Sequence, residues 1–152
     1  MELHIDGLNA VVKNFRVGAA LVARAPASDP EFARFDASAH DAGVPVYVVG
    51  RGDRLRFGAV NVDVLWPPLA PGDADLPSGN NDSIVLRVSF GRRTFLLTGD
   101  AEADAERALL AAGDALRCDV LKVGHHGSLL STKVLLFNTA QKVSFSNPKV
   151  FL

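Results

Sequence analysis

Two segments of the chain end an apolar run with glycine and then present side chains that can bind a metal ion. In the first, Phe95–Asp100, Gly99 lets the backbone turn and Asp100 follows just before a predicted helix. Open α/β sheets place their ligands just past the carboxyl ends of strands, and a metal ligand needs a carboxylate that is held in place. Asp100 is therefore a candidate ligand; the alternative is that it only caps the following helix.

The second segment, Val120–Ser128, carries two adjacent histidines between glycines. Histidine is the commonest metal ligand, and neutral imidazole suits zinc. Neighbouring strand residues point to opposite faces, so His125 and His126 can enter one site only if the backbone turns, which Gly127 permits. The pattern predicts that at least one of these histidines binds a metal; the alternative is a purely structural role.

Four further polar residues could border such a site. His4 precedes a predicted helix on a loop that could face the same sheet edge, unless it is only an exposed terminal histidine. Asn81 and Ser83 open the strand that we predict to pair with the Asp100 strand, and both are equally good turn residues. Lys122 could offset phosphate charge, although strand alternation alone places it only on one face of a sheet.

The elements that would position these residues interleave helices with strands. Apolar spacing, capping residues and turn residues predict helices over 7–15, 30–43, 101–112 and 131–140. Asp29 and Pro30 are predicted to start the second helix, and Glu102 places a favourable negative charge near the start of the third. Turn residues and alternating apolar residues predict strands over 17–23, 45–49, 54–57, 60–66, 83–90, 93–98, 119–124 and 142–146. Gly58 and Gly91 are predicted to lie in the turns that join two neighbouring pairs of these strands. We therefore predict a layered α/β domain, an α+β sandwich with a mixed sheet.

The amino-acid composition narrows the classes of protein to which the chain can belong. Hydrophobic residues make up 48% and charged residues 22% of 152 residues, which is typical of a globular domain. The net charge of -1 argues against a broad electropositive surface, and we interpret the cluster Arg51, Arg54 and Arg56 as a solvated hairpin face. The single cysteine, Cys118, excludes an internal disulfide and is predicted to lie in the core. No apolar stretch approaches the length of a membrane span.

These motifs together resemble the metallo-β-lactamase-like domain at the C-terminal end of DNA-internalisation competence proteins, the ComEC family. The resemblance covers nearly the whole chain and is most specific over 81–87, 95–100 and 119–128. It implies a single partial hydrolase domain over 1–152, with a four-layer αβ/βα sandwich. One or two divalent ions, zinc or manganese, would lie between the two sheets and activate water for phosphodiester hydrolysis.

The resemblance also implies roles for single residues. Asp100 matches the carboxylate between the metals and His125 the last histidine ligand, so both would be catalytic, with His126 and His4 as further metal ligands. The residues expected to border the metals or the substrate are Asn81, Ser83, Lys122 and Ser128. The implied partners are single-stranded DNA and the membrane channel portion of a parent protein in the bacterial inner membrane, where the domain would act as the nuclease of DNA uptake.

The front of the chain departs from the family pattern. The segment from His4 to Leu8 resembles only the tail of the family's first motif, His-x-Asp-x-Asp-His. His4 matches the last position of the motif, and Leu3 stands where the motif has aspartate. We therefore expect an N-terminally truncated fragment, or a misplaced gene start, that binds metal weakly and hydrolyses poorly or not at all. Two other functions stay open: a non-catalytic module that docks on a membrane channel or on DNA, and a hydrolase of the same fold that acts on a small ester or lactam.

Overall fold

The computed structural model describes residues 6–26, 28–70, 79–113 and 116–122. The chain divides into two compact units. The first unit is drawn from Met1–Val49 and Leu69–Gly79, and the second from Gly50–Pro68 and Asn80–Leu152. Among the described residues, no helix is long and apolar enough to cross a membrane.

The first unit pairs two short strands beside two helices. Its elements are α1 (Asp6–Asn14), β1 (Ala20–Val22), α2 (Pro30–Asp41) and β2 (Val46–Val48). β1 and β2 run parallel, because α2 returns the chain to the same end of the pair. The core of this unit consists of Val12, Phe32, Phe35, Ala39 and Val44.

The start of α2 follows from two adjacent residues, as predicted. The Asp29 carboxylate accepts hydrogen bonds from the backbone N–H groups of Glu31 at 2.8 Å and Phe32 at 3.0 Å. Pro30 occupies the first helical position, where its missing N–H removes no helical hydrogen bond. The helix ends before Gly43, which has a φ of 68° that few other residues adopt cheaply.

We expect Asp29→Ala to lower the free energy of unfolding by about 1 kcal/mol, because two amides at the start of α2 lose their acceptor. Urea unfolding followed by circular dichroism measures the change. The control is Asp36→Ala, which removes an exposed carboxylate from the middle of the same helix. Equal destabilisation by the two substitutions would show that the cap contributes nothing.

The second unit is built on a sheet of five strands, which is mixed, as predicted. Its strands are β3 (Arg54–Phe57), β4 (Val60–Trp66), β5 (Val85–Phe90), β6 (Arg93–Leu97) and β7 (Val120–Lys122), in spatial order β3-β4-β5-β6-β7. Neighbouring strands are antiparallel except β6 and β7, which are parallel. The helix α3 (Ala103–Ala111) lies in the connection between those two strands.

One apolar cluster joins α3 to the sheet. Its buried members are Val85, Leu96, Ala101, Ala105, Leu109, Leu116 and Cys118. Cys118 is 8% exposed, which confirms its predicted place in the core. Burial raises the pKa of its thiol, so the side chain behaves as a small apolar residue rather than as a nucleophile.

Several predicted elements are shorter than expected. The strand predicted over 17–23 is paired only at Ala20–Val22, because its partner strand β2 also has only three residues that pair. The strand predicted from 83 begins at Val85, because a 3-10 turn occupies Asn80–Asp82. The helix predicted from 101 begins at Ala103. The predicted helix 131–140 and strand 142–146 lie outside the described residues, and the four-layer sandwich stays a prediction.

Candidate functional site

The ends of several strands of the second unit lie at one edge of its sheet. β5 is antiparallel to both β4 and β6, so the start of β5 lies beside the ends of its two neighbours. β7 is parallel to β6, and its last residue, Lys122, pairs with the last residue of β6, Leu97. Asp100 follows Leu97 by three residues. We call this edge, defined by Trp66, Ser83, Asp100 and Lys122, the Asp100 edge.

The backbone at Asp100 is held by its neighbour on the adjacent strand. The Asp100 N–H donates a hydrogen bond to the Ser83 Oγ at 3.1 Å. The N–H of Ala101 donates to the carbonyl of Thr98 at 3.2 Å, which closes a turn around Gly99 and Asp100. Glu102 occupies the N-cap position of α3, without a capping hydrogen bond from its side chain, so the alternative interpretation of Asp100 as the N-cap of this helix is wrong.

Gly99 is required in this turn for two reasons. Its φ is +57°, a left-handed conformation that side chains with a Cβ disfavour. A Cβ built on Gly99 would also lie 3.0 Å from the Ser83 Cβ and 3.4 Å from the Ser83 Oγ. The glycine therefore lets the backbone before Asp100 approach Ser83 closely, and the serine hydroxyl then receives the Asp100 amide.

Side-chain hydrogen bonds tie β7 to β6 at both ends. At the far end, the Asp119 carboxylate accepts from the Thr94 N–H at 2.7 Å and from the Thr94 hydroxyl at 3.1 Å. At the Asp100 edge, the hydroxyl of Thr98, which is 2% exposed, donates to the Lys122 carbonyl at 3.0 Å. These contacts fix the register that pairs Leu97 with Lys122.

The Asp119 contacts predict how the stability of the second unit depends on pH. The hydrogen bond from the Thr94 backbone N–H, helped by the Thr94 hydroxyl and Arg93, holds the pKa of the Asp119 carboxyl below its ordinary value. Since an unfolded aspartate titrates at about 3.9, the folded state binds fewer protons below that pH. The stabilisation is complete above the unfolded pKa and is lost as the pH falls through the folded pKa.

We therefore expect Asp119→Asn to destabilise the chain near neutral pH and to cost progressively less as the pH falls below about 4. Urea unfolding of both proteins across this pH range measures the difference. Thr94→Val keeps the backbone donor, so it is expected to retain most of the pH dependence. A difference between wild type and Asp119→Asn that stayed constant down to low pH would contradict the prediction.

A short polar turn borders Asp100 on its other side. The Asn80 Nδ2 donates to the Glu102 Oε1 at 2.9 Å, which links the 3-10 turn to the start of α3. The Trp66 indole N–H donates to the Asn81 carbonyl. The Asn81 side-chain oxygen is buried and accepts no hydrogen bond from any residue that the structure describes. The turn therefore brings an unsatisfied oxygen acceptor to the Asp100 edge.

Comparisons with known proteins identify relatives of the chain. No family model matches it. The chain is 33% identical over 129 residues to ComE operon protein 3 of Bacillus subtilis, 41% over 70 residues to Recombination protein 2 of Haemophilus influenzae, and 37% over 71 residues to Competence protein ComA of Neisseria gonorrhoeae. These relatives indicate a competence-related family.

The similarity to this competence-related family covers much of the chain but little of each relative. The Bacillus protein matches 85% of the chain, whereas the Haemophilus and Neisseria proteins each match 46%. The matched parts are 16%, 9% and 10% of the three relatives, respectively. The chain thus corresponds to a small portion of much longer competence-related proteins.

The structure brings together some of the residues that the sequence singled out. Asn81, Ser83, Asp100 and Lys122 all lie at the Asp100 edge. The other predicted site residues, His4, His125, His126 and Ser128, lie outside the described residues, and their roles stay predictions. Within the described part of the chain, no three His, Cys, Asp or Glu side chains are close enough together to hold a metal ion.

Sequence reasoning missed three residues that shape this edge. Glu102 was interpreted only as a favourable charge near the start of a helix, yet it occupies the N-cap position of α3 and its side chain accepts a hydrogen bond from Asn80. Thr98 was assigned only to a strand, although a polar residue that ends an apolar strand could have indicated a buried hydrogen bond. Asp119 could have been found in the same way, as a carboxylate at the start of an apolar strand.

Proposed function

We propose that the chain is a metal-dependent phosphodiester hydrolase of the metallo-β-lactamase fold that acts in DNA uptake. One observation carries the proposal. The parallel register of β6 and β7 pairs Leu97 with Lys122, and Asp100 and His125 each follow three residues later in the sequence. Parallel strands deliver their carboxyl ends to one edge of a sheet, and we propose on this ground that the Asp100 carboxylate and the His125 imidazole serve the same site.

The donor set at this edge fits a divalent ion. Asp100 and the unsatisfied side-chain oxygen of Asn81 are hard oxygen donors, which suit manganese, and the imidazoles proposed as partners suit zinc or manganese. Asp100, His125, His126 and His4 would hold the ion. When bound, such an ion supplies a Lewis acid that activates water and offsets charge on a phosphodiester.

Each remaining residue at the edge has a separate proposed task. The Ser83 Oγ accepts a hydrogen bond from the Asp100 N–H at 3.1 Å. Because this bond already orders the backbone at Asp100, metal binding does not carry the entropic cost of ordering a loop. Lys122 is exposed beside the end of β6 and offsets the charge of a phosphate. Asn81 and Ser128 contact the substrate or the ligands.

The relatives support DNA as the substrate class. One of them is named as a competence protein, one as protein 3 of the ComE operon, and one as a recombination protein. We propose that the chain acts on single-stranded DNA and that it works alongside the membrane channel portion of a longer protein. The matched part is only 16% of the Bacillus protein, so a protein of that length has room for a channel portion outside the matched part.

A cleavage assay on the 152-residue chain tests the proposal. An end-labelled single-stranded oligonucleotide is incubated with the protein in millimolar Mn²⁺, in Zn²⁺, or in EDTA, and the products are separated on a gel. We expect slow cleavage with a metal ion and none in EDTA. Cleavage that persisted in EDTA would point to a contaminating or metal-independent enzyme. Binding of the oligonucleotide without any cleavage would instead support a non-catalytic docking module.

A further inference from the structure

The end of the sheet opposite the Asp100 edge exposes two phenylalanines. Phe57 ends β3 and is 59% exposed, and Phe90 ends β5 and is 57% exposed. Val60 on β4 pairs with both, so the three side chains share one face and Val60 separates the two rings. With strands about 4.8 Å apart, the two phenylalanine backbones lie about 10 Å from each other. Exposed aromatic side chains of this size commonly mark a contact surface.

Two arginines lie beside the Phe90 ring. Arg93 is the partner of Phe90 in the β5–β6 register, and Arg92 is exposed in the turn between those strands. Arg56 precedes Phe57 on β3 and pairs with Asn61, so its side chain lies on the opposite face of the sheet from the rings. We call Arg92 and Arg93 with Phe57 and Phe90 the hairpin end.

The hairpin end carries an excess of positive charge. Of these two arginines, Arg93 alone pairs with a carboxylate among the described residues, that of Asp119. Asp119 lies 3.3 Å from the Arg93 Nη1, and the Arg93 side chain is still 74% exposed. Arg92 forms no ion pair with any residue that the structure describes. The remaining charge is therefore available to an anionic partner, although the whole chain has a net charge of -1.

We propose that the hairpin end binds single-stranded nucleic acid. Bases stack on Phe57 and Phe90, and the phosphates contact Arg92 and Arg93. Aromatic platforms beside guanidinium groups are the combination that single strands require, because every base has a π-face and every linkage a negative charge. A second copy of the chain fits less well, since pairing two hairpin ends would bring arginines against arginines.

This site is separate from the Asp100 edge. β5 runs from the Asp100 edge to Phe90 over the six residues Val85–Phe90, which at about 3.3 Å per residue puts the two ends about 17–20 Å apart. The hairpin end would hold the strand while the Asp100 edge acts on another part of it. The choice of DNA as the partner rests on the proposed function, whereas the binding itself needs no metal ion.

Fluorescence anisotropy with a labelled oligothymidine in EDTA tests the site on the full chain. We expect Phe57→Ala and Phe90→Ala each to weaken binding by roughly tenfold, the usual effect of removing one stacking platform. Arg92→Ala is expected to weaken binding and to reduce the slope of log K against log salt by about 0.7, as for one phosphate contact on a single strand. Thermal melting confirms that the variants remain folded.

Two matched substitutions serve as controls. Phe15→Ala removes a ring that is 70% exposed in the first unit, and Arg34→Ala removes an exposed charge from α2. Neither should change the affinity. The proposal is overturned if Phe57→Ala and Phe90→Ala bind like the controls. It is also overturned if wild-type protein binds vesicles of phosphatidylglycerol but not the oligonucleotide, or if Phe90→Ala abolishes a dimer without affecting DNA.

The two proposals fail in different ways. Because binding is measured in EDTA, intact binding with no metal-dependent cleavage counts against the hydrolase alone. Intact cleavage with no effect of the phenylalanine substitutions counts against the hairpin end alone.

Discussion

Asp100→Ala is expected to weaken Mn²⁺ binding by at least tenfold and to reduce metal-dependent cleavage of single-stranded DNA to background. Removing a group that merely orients a metal ligand typically costs 10–100-fold in affinity or activity, and loss of a ligand should cost no less. Isothermal titration with Mn²⁺ and the gel assay measure the two effects. The Asp100 amide still reaches the Ser83 Oγ in this variant, because the bond uses the backbone. The fold should therefore survive.

Asp104→Ala is the matched control for this experiment. Asp104 lies in the first turn of α3, is exposed, and pairs with Arg107 on the surface of the same helix. The Asp104→Ala substitution removes the same charge, four residues from Asp100, and leaves the Asp100 edge unchanged. Asp100→Asn adds a second comparison, because the amide keeps the shape of the side chain and loses its charge. Equal metal affinity in wild type, Asp100→Ala and Asp104→Ala would contradict the prediction.

Gly99→Ala is expected to destabilise the second unit by about 2–3 kcal/mol. About 1–2 kcal/mol arises because alanine disfavours the left-handed backbone at φ +57°. The rest arises because the new methyl group would lie 3.0 Å from the Ser83 Cβ and must push the strand away. Urea unfolding gives the loss of stability. The displaced Ser83 should also release the Asp100 amide, so metal affinity is expected to fall in the same variant.

Gly91→Ala separates the two causes. Gly91 has the same φ of 57°, but a Cβ built on it meets no atom within 4 Å. It should therefore cost only the backbone part, about 1–2 kcal/mol. If Gly91→Ala and Gly99→Ala were equally destabilising, the close approach to Ser83 would have no energetic importance.

Local signals were enough to predict the elements whose causes are local. The start of α2 depends on Asp29 and Pro30, which are adjacent in the sequence, and the structure confirms both roles. The hairpin turns at Gly58 and Gly91 have positive φ and join neighbouring strands as predicted. Asp100 was correctly placed after a buried strand. Its function as a helix cap was left open, because capping depends on the residue at which α3 begins.

Long-range contacts explain what the sequence could not reveal. The register of β7 on β6 rests on Asp119 and Thr94, which are 25 residues apart. The position of Asp100 rests on Ser83, which is 17 residues away. Periodicity within a window of residues cannot show such pairings. The short length of β1 likewise depends on a partner strand beyond α2.

The central claim is that the Asp100 carboxylate and the His125 imidazole bind the same cation. Paramagnetic broadening of the histidine resonances tests this claim most directly. Mn²⁺ is added in substoichiometric amounts while the imidazole C–H resonances of the four histidines are followed by NMR. His40, exposed at the end of α2, is an internal control. We expect the His125 resonances, assigned with His125→Gln, to broaden first and to stay sharp in Asp100→Ala. Broadening of His125 that is unchanged in Asp100→Ala, or that is matched by His40, would contradict the claim.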